Sequence, residues 1–385
     1  MPKKNEKNNV MRKESIIMKK IVFGITSLTL GGAERVLVDL ANELSKSEEY
    51  QITIFTIYGQ GELEKQLSEK VILKSIYSES YNKLSTINRK LLVPISILIG
   101  KNKIYKKYIK NQYDKEIAFL EGPITRIFAC GKEKNKKIAW VHNDIAQVFG
   151  TGIKAKLKRK IDEKLYERFN SLIFVSKNNL ESFKKTYPEN KAIQQVIYNY
   201  IDSKKVLEKT DIKTEIEFDE KKTNLLTVAR LVPQKALDRL IKVHEKLIMD
   251  GLNHNIYIIG DGPEKDKLQE LIKTTNCQNT IKLLGKKENP YPYMKKADYL
   301  CLFSKFEGYG MVLEEAKILN KYILITDTAA KEAVENYKKS IVFENSEEGI
   351  YEGLKQILTK IENNEEKIEI YSNTKIIEQI KQILE

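Results

Sequence analysis

The sequence has no apolar run approaching the roughly 20 residues needed to cross a bilayer. Its first seventeen residues, MPKKNEKNNVMRKESII, lack the apolar core of a secretion signal, so the chain is expected to stay in the cytoplasm. Only three cysteines occur, Cys130, Cys277 and Cys301, and their scatter excludes a disulfide framework and a zinc site. Cys301 lies in an apolar run and is expected to be a small core residue. There is no Asp-x-Asp pair and no His/Cys cluster, so no metal site is predicted. No Gly-x-x-x-x-Gly-Lys-Ser/Thr occurs, which removes the P-loop NTPases. Gly260-Asp261-Gly262 begins a dinucleotide fingerprint, but Lys265 holds the place of its third glycine and the match fails. No cofactor is expected.

What the chain does hold is length, positive charge and a repeated rhythm. At 385 residues it exceeds one ordinary core, so two domains are expected. Hydrophobic residues at 41% can fill two cores, and charged residues at 31% can cover them. A net charge of +14 implies an anionic partner. No binding module or aromatic ladder accompanies the basic residues, which argues against nucleic acid.

Residues 1–17 read as a basic leader, with Met18 as an alternative start. Lys20 to Thr26 (KIVFGIT) is a strand-like run, followed by a Gly-Gly turn and AERVLVDLANELSK, whose apolar positions recur at helical spacing. QITIFTI, EIAFLEG, KIAWVHN and SLIFVS repeat the strand pattern with helical segments between them. Short, nearly all-apolar strands alternating with helices predict a parallel sheet covered on both faces, an α/β doubly wound domain over 18–200. The polar stretch 201–222 is expected to link it to a second such domain over 223–365, where NLLTVARL, NIYIIGDG, TIKLLG, DYLCLFS and YILITD restart the rhythm. The end of the chain, 366–385, predicts a helix whose apolar stripe needs a partner surface, which a return onto the first domain would provide. His244 and His254 are expected on or beside a surface helix, without a role.

Ligands of open α/β sheets bind outside the carboxyl ends of the strands, so the residues after each strand are the candidates. Gly31 and Gly32 follow the first strand and open a helix. They suit close approach of a phosphate to free N–H groups, or equally a plain turn. Arg230 and Lys235 follow the first strand of the second half and could clamp a diphosphate, although taken alone a solvated loop charge is the commoner reading. In LCLFSKFEGYGMVLEEAKIL a strand ends near Ser304, Gly308, Tyr309 and Gly310 form a glycine loop, and a helix starts near Met311. Glu307 in that loop could accept from sugar hydroxyls, and Glu315 in the helix from a ribose. His142 follows the strand KIAWV and could meet the reacting group, or serve the structure.

As an ordered set these segments resemble glycosyltransferase family 4, the retaining GT-B enzymes. The matching pieces are GGAERV, VHND, FVSK, VIYNYID, TVARLVPQKALDRLI, IIGDGPEKDKL, IKLLGKKEN and FEGYGMVLEEA, which span the chain from Met18. The resemblance implies two Rossmann-like domains facing a central cleft. It also implies retaining transfer of a hexose or N-acetylhexosamine from a nucleotide diphosphate sugar, a UDP-sugar by preference, to a growing lipid-linked cell-surface polysaccharide. Glu307 would hold donor-sugar hydroxyls and Glu315 the ribose. Arg230 and Lys235 would neutralise the diphosphate in place of a metal, helped by N–H groups from Gly308 through Tyr309, Gly310 and Met311 to Val312. Gly285 and Lys286 fall where the family contacts the base, Gly32 near the phosphates or acceptor, and His142 near the reaction centre. The family often has glycine where this chain has Ala229 and Ala236, so altered loop geometry is expected there.

LLVPISILIG, residues 91–100, is too short to span a bilayer but is flanked by Arg89, Lys90, Lys101 and Lys103, and IKAKLKRKIDEKLYERF adds more basic charge. A basic apolar helix of this kind suits peripheral docking on an anionic membrane, the inner face of the plasma membrane, or equally an ordinary buried helix with a solvated edge. Two other functions share the architecture: nucleotide-sugar 2-epimerase and a non-catalytic sugar-nucleotide-binding subunit.

Overall fold

The computed structural model describes residues 18–80, 83–85, 93–143, 145, 153–359, 371 and 373–385. The basic leader, Leu91, Leu92, Asp144 and residues 366–370 lie outside them.

Seven parallel strands build the first half: β1 (Lys19–Ile25), β2 (Tyr50–Tyr58), β3 (Ile72–Tyr77), β4 (Lys115–Ala118), β5 (Lys137–Val141), β6 (Ser171–Phe174) and β7 (Ile193–Val196). Their order is β3-β2-β1-β4-β5-β6-β7. Side chains alternate across a strand, so Ile21, Phe23 and Ile25 of β1 enter one core layer while Val22 enters the other. That double burial is why these strands read as continuous apolar runs rather than as an alternation. The register sets Phe23 beside Ile54 of β2 and Ile117 of β4.

Six parallel strands build the second half: β8 (Thr223–Val228), β9 (His254–Ile259), β10 (Ile281–Gly285), β11 (Tyr299–Leu302), β12 (Tyr322–Thr326) and β13 (Ser340–Phe343), in the order β10-β9-β8-β11-β12-β13. Leu225 and Leu226 of β8 again face opposite layers. The loops that follow β8 and β9 are joined backbone to backbone. Ala229 N–H donates to Ile259 O at 3.0 Å, and Leu231 N–H to Asp261 O at 3.0 Å. Gly260 has φ +150, and a Cβ there would lie 1.8 Å from Ala229 O, so only glycine admits this approach. The Gly-x-Gly that fails as a dinucleotide signature thus has a structural reason. Ala236 takes the left-handed conformation, φ 50 and ψ 39, that glycine adopts freely. Alanine bears about 1–2 kcal/mol of strain there.

Between the sheets, residues 197–222 hold no strand and one short helix, Ser203–Glu208, capped by Asp202. The helix Thr374–Leu384 closes the described chain and sends Ile380 and Leu384 into the core of the first sheet beside Ile21 and Ile52. Lys115 of β4 donates to its Ile383 O at 3.2 Å.

One expectation is corrected. His244 and His254 are not surface residues, because both are fully buried. His244 Nδ1 lies 2.7 Å from His254 Nε2, and His244 Nε2 lies 2.8 Å from Thr280 Oγ1. The apolar stripe of the helix Leu237–Met249 takes His244 inward, and His254 opens the buried strand β9.

Candidate active site

Strand order reverses at β1/β4 in the first sheet and at β8/β11 in the second. At such points neighbouring connections diverge and leave a crevice outside the carboxyl ends of the strands. Gly32 follows β1, Arg230 and Lys235 follow β8, and the Glu307 loop follows β11, so these candidates fall at the two switch points, whereas His142 follows β5 and Gly285 and Lys286 lie at the end of β10.

The loop after β8 and the loop after β11 are zipped together: Lys305 N–H donates to Gln234 O at 2.9 Å, and Gln234 Nε2 donates to Phe306 O at 2.9 Å. This seam turns Lys235 onto Glu307, and the ammonium pairs with Oε2. Ser304 Oγ donates to the same oxygen at 3.2 Å. The two charged side chains are only 16% and 13% exposed. Neither charge would be tolerated that far from water alone, and each holds the other. Arg230 sits exposed on the rim of the same loop.

Gly310, with φ +76, leads the helix Met311–Ile318, whose start no side chain caps. Gly31 leads the helix Gly32–Leu44, also uncapped. The first N–H groups of a helix have no partner within it and carry the positive end of its dipole. The two helix starts face each other: a Cβ on Gly32 would lie 3.8 Å from Met311 Cγ. Asn199 Nδ2 approaches the Met311 sulfur at 3.0 Å. Gly308 and Val312 are half-buried in the same region, whereas the Tyr309 side chain is buried and turned away, its hydroxyl donating to Glu314 at 2.7 Å. Gly285 has φ +68 and accepts from Gly260 N–H at 3.0 Å, with Lys286 exposed beside it.

Glu315 is half-buried on the cleft side of its helix, one residue from the buried Glu314. Burial pushes its carboxyl upward, and Arg35 and the Tyr291 hydroxyl oppose that shift. His142 sits at the end of β5 with its ring 4.7 Å from that of Phe119. Among the described residues its Nε2 is closed off from solvent without a partner, and burial pushes its pKa down to about 3, so the ring is neutral. No hydrogen bond or ring contact joins His142 to Glu307 among the described residues. A cavity of 360 Å³ lies behind the glycine loop, lined by Tyr198, Tyr309, Glu314 and Glu332 among others, and these carboxylates are already paired within it.

Three contributors escaped the sequence reading. Glu121, just after β4, accepts from His142 N–H at 2.6 Å and Asn143 N–H at 2.7 Å and so fixes the loop that carries His142. Its position after a strand was the signal. Glu332 of the second half accepts from Lys177 N–H at 2.7 Å, the start of a first-half helix, and from the Tyr198 hydroxyl at 2.9 Å. Arg35 reaches Tyr291 across the cleft at 3.3 Å. These last two join elements 155 and 256 residues apart, which spacing along the chain does not reveal.

Residues 208–375 match the family model described as glycosyl transferases group 1. An N-acetylgalactosamine-N,N'-diacetylbacillosaminyl-diphospho-undecaprenol 4-alpha-N-acetylgalactosaminyltransferase of Campylobacter jejuni is 27% identical over 352 residues, covering 89% of this chain and 90% of its own. Among solved structures, TarM of S. aureus superposes with a TM-score of 0.70 at 15% identity, covering 95% of this chain and 99% of its own. HepE of Anabaena, in complex with UDP and glucose, does so with a TM-score of 0.63 at 16% identity, covering 89% and 90%. Their shared two-sheet GT-B fold is the fold of this chain.

Proposed function

The chain is a glycosyltransferase of group 1, matched over residues 208–375 and built on the GT-B fold, and from that premise we propose that it is a retaining, metal-independent enzyme of family 4. In this reading it moves a hexose or N-acetylhexosamine from a UDP-sugar to a growing lipid-linked polysaccharide. The observation that carries the proposal is the juxtaposition of Lys235 and Glu307 at the β8/β11 switch point, beside the uncapped start of the Met311–Ile318 helix. A diphosphate placed there would meet Lys235, Arg230 and the helix N–H groups from Gly308 to Val312, so charge building on the leaving group is neutralised without a metal. Glu307, released from Lys235, would accept from the donor-sugar hydroxyls. Glu315 would accept from the ribose, Gly285 and Lys286 would border the base, and Gly32 would face the phosphates or acceptor. His142, as a neutral ring, would offer a hydrogen bond rather than a charge. A UDP-bound, glucose-containing neighbour and a relative whose name specifies a diphospho-undecaprenol substrate support the donor and acceptor classes.

The test is a thermal-shift screen of UDP-glucose, UDP-N-acetylglucosamine and UDP-N-acetylgalactosamine, followed by incubation with a polyprenyl-diphosphate-linked sugar. A product with the donor's anomeric configuration is expected. Inversion, or turnover of the donor with no acceptor as in a 2-epimerase, would sink the reading.

Docking on an anionic membrane belongs to the same proposal. On the helix Val93–Tyr108, Ile95, Leu98 and Ile99 are 44%, 50% and 78% exposed and share one face, with Lys103, Lys106 and Lys107 exposed farther along. The protein is expected to float with anionic liposomes. Leu98→Asp combined with Ile99→Asp should cut the bound fraction by at least about tenfold, since each apolar side chain lost from the interface costs on the order of 1.5 kcal/mol or more. Wild-type protein left unbound would remove membrane docking from the proposal.

A further inference from the structure

Arg35, Tyr291 and Glu315 form a chain of polar contacts that crosses between the halves of the molecule. Arg35 lies on the helix Gly32–Leu44 of the first half, while Tyr291 opens the helix Tyr291–Lys296 and Glu315 lies on Met311–Ile318, both in the second. Arg35 Nη1 is 3.3 Å from the Tyr291 hydroxyl, and that hydroxyl is 3.0 Å from Glu315 Oε1. The direction of the chain is forced. A guanidinium can only donate, so the tyrosine oxygen accepts from Arg35 and spends its single proton on Glu315. Glu315 therefore accepts at Oε1. Oε1 is committed to Tyr291, and Oε2 has no partner among the described residues. Tyr291 is itself buried, 4% exposed, which fixes the hydroxyl where it stands.

We propose that Arg35 and Tyr291 are positioning residues for the donor: Tyr291 orients the Glu315 carboxylate so that Oε2 faces the nucleotide ribose, and Arg35 makes that orientation depend on the first half being docked. The proposal rests on the donor-site reading of Glu315. It adds that donor affinity is set in part by a residue outside the half to which the donor site is assigned. Arg35 acts only through Tyr291, so the two should not contribute independently.

The experiment is titration calorimetry of the full chain with UDP, GDP, ADP and TDP, continued with whichever binds most tightly. Glu315→Gln tests the underlying reading and should weaken binding by more than about tenfold, the loss of a hydrogen bond to a charged group. Tyr291→Phe should weaken it by roughly tenfold and Arg35→Gln by several-fold. Arg35→Lys, which retains a donor, should recover part of the loss. The double variant Arg35→Gln/Tyr291→Phe should bind no more weakly than Tyr291→Phe alone. In steady-state assays the change should fall on the donor KM more than on kcat, which a general loss of structure would not produce. If no nucleoside diphosphate binds, the donor reading falls and this proposal with it. If Glu315→Gln weakens binding while Tyr291→Phe and Arg35→Gln bind as wild type, or if the two substitutions add, the donor reading stands and the positioning chain is overturned. Should Tyr291→Phe not fold, the Arg35 pair decides: equal affinity of Arg35→Gln and wild type refutes it.

Discussion

Glu307→Gln is expected to lower kcat by about 10² to 10³ while leaving UDP affinity unchanged or slightly tighter. The size follows from what removing one preorganised electrostatic group costs a transfer reaction. The split between kcat and affinity follows from the structure. Lys235, 16% exposed, has the Glu307 carboxylate as its counter-ion, so a diphosphate must compete with that carboxylate for it. Glutamine keeps the shape of the side chain and its ability to accept from Ser304, but it surrenders the charge. Lys235 is then left in want of an anion, a condition bound UDP relieves. In the proposed site, position 307 would meanwhile have lost the negative charge that balances the positive charge developing on the anomeric carbon. Lys235→Met should give the complementary pattern, with weaker UDP binding and a stranded Glu307. Calorimetry with UDP and initial rates on the same preparations separate the two, and a Glu307→Gln enzyme within threefold of wild-type kcat would refute the assignment.

How much of this was open to the sequence depends on the range of each interaction. The two doubly wound halves were legible because ten of the thirteen described strands are short apolar runs punctuated by turn residues, each recognisable from its own few residues; β3 (ILKSIY), β7 (IQQV) and β13 (SIVF), which the sequence reading passed over, lie at sheet edges and are less buried. The placement of Lys235 and Glu307 was half legible. Each follows a strand, but that β8 and β11 are neighbours is a fact of sheet order, and only the zipped loops turn the two side chains onto each other. Tyr309 shows the reverse. Its backbone lies where the glycine loop predicts, yet its side chain belongs to the core behind, against Tyr198 at 5.2 Å and Glu314. Arg35 carries no such signal in the sequence, since its partner is 256 residues away. His244 was misjudged because a polar residue inside a helix with a strong apolar stripe was given to the surface, and His254, the first residue of β9, because it was placed beside that helix. Their mutual hydrogen bond, which makes burial tolerable, is invisible until helix and strand are packed.

Those histidines carry the last prediction, a loss of stability in mild acid. With both rings neutral, His254 Nδ1–H donates to Leu252 O at 2.8 Å and His254 Nε2 accepts from His244 Nδ1–H. His244 Nε2 then faces Thr280 Oγ1 at 2.8 Å, a hydroxyl whose single proton also lies toward Cys277 O at 3.0 Å. Protonating either ring buries a charge, and burial pushes the His244 pKa down to about 3 and lowers that of His254 as well. His142, enclosed by Phe119 and Trp140, is likewise pushed down to about 3. The unfolded chain takes up these protons near pH 6.5, so it binds more protons than the folded chain between about pH 6.5 and 3. Stability therefore falls as pH drops through that window and is insensitive to these groups above it. At pH 5 each of His142 and His244 costs roughly 2 kcal/mol relative to pH 7.5. Glu34, Glu116, Glu121 and Glu315 work against this, because burial raises their carboxyls and protonation relieves them. The total slope thus mixes two signs, and the clean measurement is a difference. The destabilisation caused by His244→Gln, from urea unfolding, should be smaller at pH 5 than at pH 7.5 by about 2 kcal/mol, and the same should hold for His142→Gln. A penalty that does not change with pH would mean that the ring already titrates in the folded protein as it does in the unfolded chain, and that its surroundings are wetter than the packing around it implies.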